Sequence, residues 1–259
     1  MAVVHAGPGR IELFNDFFVG LDQSDITDNS TTADVEMAYP FIFFGEGTTE
    51  IDSGMLALNV LSGAVRLTAT NETDHLAAVG TYNTIKISLM APVILEARVQ
   101  FDALTTRRAF FGLTDAEGGD EKKDLVIEEN ICASTGVAFT PVASDYVGFL
   151  MSSEMTAPDN IDWHYMFRGG TEAQTTVSTT YDLNTPITAG DWQILRLEVD
   201  PNGTTRWWVD GVCLKEVAGA CAVDVALGVV LGVEVVSGTT AMGMDVDYLL
   251  VEANRDWTV

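Results

Sequence analysis

Along most of this chain, apolar and polar residues alternate one by one, and turn residues interrupt the alternation at short intervals. Across 94–101, Ile94, Glu96, Arg98 and Gln100 fall on one side. Leu95, Ala97, Val99 and Phe101 fall on the other, the period-two mark of a strand with one wet face. Leu56, Leu58 and Val60, then Val65 and Leu67, alternate across Leu61-Ser62-Gly63-Ala64 and predict two strands with a tight turn. Aromatic and β-branched residues fill 109–114, 146–151 and 163–167, as pleated surfaces prefer.

The clearest punctuation lies between Trp192 and Val217. Leu195, Leu197 and Val199 share a face, Asp200-Pro-Asn-Gly203 supplies a turn, and 204–209 runs into the hairpin signal Asp210-Gly211. Val212, Leu214 and Glu216 return, which completes a β-meander. Two apolar runs, 225–236 and 241–251, close the chain around Ser237-Gly238-Thr239-Thr240 and predict strands covered on both faces. Helical periodicity is almost lacking. The expectation is an all-β, two-sheet antiparallel jelly-roll sandwich, with residues 1–12 as an N-terminal arm and 13–259 as a single domain. Irregular stretches are expected at 22–34, 115–124 and 153–162.

Charge adds a constraint on partners. Thirteen Lys and Arg stand against 38 Asp and Glu, for a net charge of −25, and no basic cluster exceeds Arg107-Arg108 and Lys122-Lys123. Such a surface repels phosphate backbones, so nucleic acid is an unsuitable partner. The segment 1–9, MAVVHAGPG, lacks the basic start and apolar run of a secretory signal, and 223–236 is broken by Asp224 and Glu234 and too short for a bilayer span. Cys132, Cys213 and Cys221 form no CxxC and are expected as buried thiols. The sequons at Asn29, Asn71 and Asn202 carry little weight without a signal.

Candidate chemistry is sparse. Glycoside hydrolysis needs two carboxylates across a cleft, and the E-x-D-x-x-E strand spacing is missing. Its nearest approach is Asp245, Asp247 and Glu252, with Glu252 of opposite strand parity to the other two. His5, His75 and His164 accompany no G-x-S-x-G elbow, and no phosphate loop or H-E-x-x-H occurs. His164, between Trp163 and Tyr165, reads as a partly buried strand histidine. Asp115, Glu117, Asp120, Glu121 and Asp124 gather hard oxygen ligands that would suit Ca²⁺, but Lys122 and Lys123 oppose it. Trp163, Tyr165, Trp207 and Trp208 are candidates for sugar stacking, with core packing the simpler account; Trp207 and Trp208 must point to opposite faces. No catalytic residue, cofactor site or metal site is assigned.

Phe14-Asn-Asp-Phe-Phe18, Glu96-Ala-Arg-Val-Gln-Phe101, Phe110-Phe-Gly-Leu-Thr-Asp115 and Asp145-Tyr-Val-Gly-Phe149 occur in that order. They are followed by Asp191-Trp-Gln-Ile-Leu-Arg-Leu-Glu-Val-Asp200, Trp207-Trp-Val-Asp-Gly211 and Met244-Asp-Val-Asp-Tyr248. Over residues 14–252 the chain resembles the concanavalin A-like, or laminin-G-like, jelly-roll group, a fold that hosts many functions. Within it, the chain is similar to structural proteins of tailed-phage virions. That resemblance implies a non-enzymatic head decoration protein on the capsid exterior, assembled in the host cytoplasm, with the major capsid protein and copies of itself as partners. The acidity and the missing carboxylate ladder agree with it. The alternatives are a glycan-binding module of a tail fibre or adhesion protein, with carbohydrate as partner, and a divergent glycoside hydrolase.

Overall fold

The structure, a computed structural model, describes residues 2–7, 9–17, 36–38, 40–45, 54–58, 63–69, 72–117, 125–174, 180–237 and 242–255. In chain order the early strands are β1 (Ala2–Gly7), β2 (Arg10–Asn15), β3 (Glu36–Ala38), β4 (Phe41–Phe44), β5 (Gly54–Ala57), β6 (Val65–Ala69), β7 (Leu76–Gly80) and β8 (Ile85–Lys86). The middle strands are β9 (Val93–Phe101), β10 (Arg107–Thr114), β11 (Cys132–Thr135), β12 (Ala138–Pro141), β13 (Tyr146–Ser152), β14 (Asp162–Arg168) and β15 (Asp182–Pro186). The last are β16 (Gln193–Val199), β17 (Thr205–Val209), β18 (Val212–Val217), β19 (Ala226–Val235) and β20 (Met242–Asn254).

Apart from β11 and β12, which pair with each other, they form two antiparallel sheets in a jelly-roll sandwich. The first runs β1-β2-β20-β9-β16-β17-β18, with β6 also on β20 and β5 on β6; the second runs β15-β14-β13-β10-β19-β7-β4-β3. The expected meander is present as β16-β17-β18. Residues 2–7, within the stretch read from sequence as an arm, pair along their whole length with β2.

Alternation decides which face each sheet buries. On β9 the apolar set Leu95, Ala97, Val99 and Phe101 is buried while Ile94, Glu96, Arg98 and Gln100 are half-exposed, and β16 repeats the pattern. These inner residues meet Phe111, Phe149, Trp163 and Tyr165 from the second sheet, with Trp163 edge-on to Phe149. The two fully buried tryptophans satisfy their ring N–H groups: Trp207 Nε1 donates to Gly148 O at 2.8 Å and Trp163 Nε1 to Gln193 Oε1 at 3.0 Å.

The second sheet is covered on its outer face as well. Every residue of β10 and β13 is buried, because the segment 125–143 lies over them with Ile127, Ile131, Cys132 and Phe139 buried. Gly112 and Gly148 stand opposite each other on β10 and β13. A Cβ at Gly112 would come 2.6 Å from the Gly148 Cα, so only glycine lets these two strands close here. Both closing strands were expected to be covered on two faces. That holds for β19, but on β20 Asp247, Tyr248, Leu250 and Glu252 are half-exposed, since β20 belongs to the first sheet.

Candidate functional site

Two places gather polar side chains. At one end of the second sheet, Arg108 on β10 is fully buried. Its Nε donates to Ser134 Oγ at 3.1 Å, its Nη1 to Glu234 on β19, and its Nη2 to both Glu128 and Glu154. Glu234, also fully buried, accepts the backbone N–H groups of Ile127 and Glu128. Asp74 joins them: one carboxylate oxygen each of Asp74, Glu128 and Glu234 lies within 4.8 Å of the others. Burial pushes the Glu234 carboxyl up to about 7 against the pull of Arg108, and burial likewise raises Glu154 and Asp74. Asp74, Glu128 and Glu234 are spaced to hold a cation, but the guanidinium already lies against Glu128 and Glu234 and opposes one.

Glu154 also lines a cleft of about 240 Å³ with Ser153, Asn160, Thr105 and Thr106 over an apolar floor that includes Leu104 and Val236. A carboxyl with a raised pKa at a cleft is suited to proton transfer.

The second place lies at the opposite end of β13 and β14. There a cleft of about 250 Å³ is lined by Asp145, Thr171, Asn202 and Asp224, with Gly169, Gly170 and Gly219 in its walls. Its loops are laced together by backbone bonds. Glu172 N–H donates to Gly219 O at 3.1 Å, and Cys221 N–H donates to Gly203 O at 3.0 Å. An isolated bridge links Gly169 to Cys221. Gly169 takes φ +92°, and a Cβ there would fall 1.8 Å from Asp145 Oδ1, so glycine is what admits that carboxylate. Asp145 N–H donates to Asp115 Oδ1 at 3.0 Å, and the Asp145 carboxyl is raised, first by burial and then by Asp115.

The residues singled out from sequence scatter. Asp245 binds Arg66 (2.6 Å), Asp247 binds Arg98 (2.6 Å) and Glu252 binds Arg10, all on the outer face of the first sheet. A register shift between Val246 and Tyr248 returns Glu252 to the face of Asp245, which strand parity had ruled out. Trp163, Tyr165 and Trp207 are buried in the core; Trp208 is half-buried on the outer face, as the alternation required. His164 is fully buried beneath Phe139, edge to face, and burial lowers its pKa.

Cys132 and Cys221 are buried, their thiols pushed up to about 12, but Cys213 is exposed because β18 is an edge strand. Of the acidic loop, Glu117 accepts a hydrogen bond from Asn83 Nδ2 at 2.8 Å, and the same Nδ2 bonds Asp115 O; Asp120, Glu121 and Asp124 lie outside the described residues. Sequence reasoning missed both clefts. The four carboxylates near Arg108 precede β7, sit in the turn Ile127–Ile131, follow β13 and lie on β19, so no spacing in the chain marks them.

No family model and no curated protein matches the chain. Solved structures do. A protein of unknown function from Shewanella oneidensis MR-1 is 10% identical, covering 99% of this chain and 92% of its own, with a TM-score of 0.57. An endo-β-1,3-glucanase from Pyrococcus furiosus is 14% identical over 98% of both chains, with a TM-score of 0.55. The potassium-bound carbohydrate recognition domain of Emp46p is 10% identical over 92% of this chain and 97% of its own, with a TM-score of 0.51. These likenesses show the fold alone, an all-β, two-sheet antiparallel jelly-roll sandwich.

Two expectations need correction. The reading of the chain as a non-enzyme falls, because the same fold over nearly its whole length is that of a glucanase. Its basis was the absence of a one-strand carboxylate ladder, whereas carboxylates here converge from separate elements. The virion role draws no support from these likenesses.

Proposed function

We propose that this chain recognises carbohydrate and seats it in the end cleft bounded by Asp145, Thr171, Asn202 and Asp224. The cleft itself carries the reading. It offers carboxylate, amide and hydroxyl groups around glycine-lined walls, so a ligand rich in hydroxyls approaches the backbone closely. The lacing of its loops keeps that geometry ready before the ligand arrives. Thr171 and Asp224 are exposed, so each is replaceable without disturbing the core. A glycan array probed with the intact chain should give hits, and Thr171→Ala and Asp224→Ala should each weaken them on the order of tenfold with unfolding midpoints unchanged. An array without hits refutes the reading.

A second reading, hydrolysis of a glycosidic bond, is supported by the carboxylates around Arg108 and by Glu154 at the other cleft. Retaining hydrolysis needs two carboxyl groups about 5 Å apart, one of them holding a proton. Release of reducing ends from an array-selected glycan, lost in Glu154→Gln, would establish it; an intact glycan after prolonged incubation would exclude it.

A further inference from the structure

We infer that the sugar taken by the end cleft carries a free amine, so that this site prefers an amino sugar in its ammonium form to neutral or carboxylated sugars. The inference rests on the carbohydrate reading above and adds the charge of the ligand to it. Among the described residues the lining includes two carboxylates, Asp145 and Asp224, and no Lys, Arg or His. Asp224 is exposed and makes no ion pair among them.

Arg168, whose charge reaches Asp145, is not part of the lining. It stands opposite Tyr146 on the neighbouring strand, and its Nη1 donates to the carbonyls of Ala143 (2.8 Å) and Pro141 (3.1 Å). That commitment holds the guanidinium against the carbonyls just before β13, where its charge acts on Asp145 but is outweighed there by burial and by Asp115. Asp115, whose Oδ1 accepts the Asp145 N–H, adds a further carboxylate beside the wall.

The neutral groups complete the fit. Asn202 Oδ1 accepts the Thr204 N–H at 3.1 Å, which orients its amide in the turn between β16 and β17. A Cβ at Gly219 would lie 2.0 Å from Thr171 Oγ1, so that glycine leaves room for the hydroxyl. Hydroxyls of the ring would meet Asn202 and Thr171, and an ammonium group would meet the carboxylates in a charge-assisted hydrogen bond. A carboxylated sugar would meet like charge in a chain already at −25.

Calorimetry of the intact chain with a glucosamine oligomer and with its N-acetylated counterpart holds skeleton and length fixed while acetylation removes the charge and adds an acetyl group, and a double variant separates the two effects. The amine form should bind on the order of tenfold more tightly, with a preference that shrinks as salt is added. The double variant Asp145→Asn, Asp224→Asn should level the two forms. Equal binding of both forms by the unaltered chain overturns the inference and leaves carbohydrate recognition standing, as does tighter binding of a glucuronate-containing oligomer. A preference that survives in the double variant places the discrimination in the general surface charge and also overturns it. Failure of every oligomer, together with an empty glycan array, brings down the recognition reading itself.

Discussion

The outer faces of the two sheets are made from similar strands and behave in opposite ways. On the first sheet, Arg196 reaches Glu96 (3.0 Å) and Glu198 (2.7 Å), Tyr248 donates to Glu96 (2.8 Å), and Arg98 pairs with Asp247 while lying 4.7 Å from the Trp192 ring centre. All of these groups are partly open to water, so each pair is replaceable at small cost. On the second sheet, Arg108 makes a comparable set of bonds at zero exposure, beneath the segment it holds in place. The same side chain is ornament to the stability of one face and indispensable to the other, because burial removes the water that would otherwise solvate an orphaned partner.

The comparison is broken most severely at Arg108. Arg108→Ala strands Glu234 and its neighbours without a cation and should lower unfolding free energy by about 4 kcal/mol in urea titration. Phe139→Ala, which opens the cover above His164, should cost about 3 kcal/mol by the same measurement. Acidity gives the next effect. The Glu234 carboxyl rises from 4.5 to about 7 and Asp162, 6% exposed, from 3.8 to about 6, both first through burial. Between the ordinary and the raised values the folded chain holds more protons than the unfolded one, so stability falls as pH climbs through about 4 to 7. The thermal midpoint should be higher at pH 5 than at pH 8, on the order of 5 °C; a midpoint that rises with pH contradicts the assignment. Smallest of all, Arg196→Ala on the open face should cost under about 1 kcal/mol. If Arg196→Ala matched Arg108→Ala, the distinction between the faces would be lost.

What was legible in the chain follows the same divide. The first sheet could be read directly, since Leu95, Ala97, Val99 and Phe101 alternate with polar residues that remain half-exposed. The second sheet was legible only as apolar runs, because both of its faces are covered and alternation vanishes. The cover, 125–143, was given no element from sequence, for its burial depends on contacts with strands far away in the chain. Period-two reasoning failed at the register shift beside Asp247, which no local residue announces. The end cleft was hidden for a similar reason: Asp145, Thr171, Asn202 and Asp224 come from four separate connections, and of these only Asn202, in the Asp200-Pro-Asn-Gly203 turn, was read as turn structure.

The most direct test of carbohydrate recognition at the end cleft is residue-by-residue NMR of the chain during titration with the best glycan from the array. The largest shifts should fall on Gly169, Gly170, Thr171, Asn202 and the stretch from Gly219 to Val225. Shifts confined to the open face around Trp192, Arg196 and Trp208, or to the cleft beside Glu154, would contradict the account.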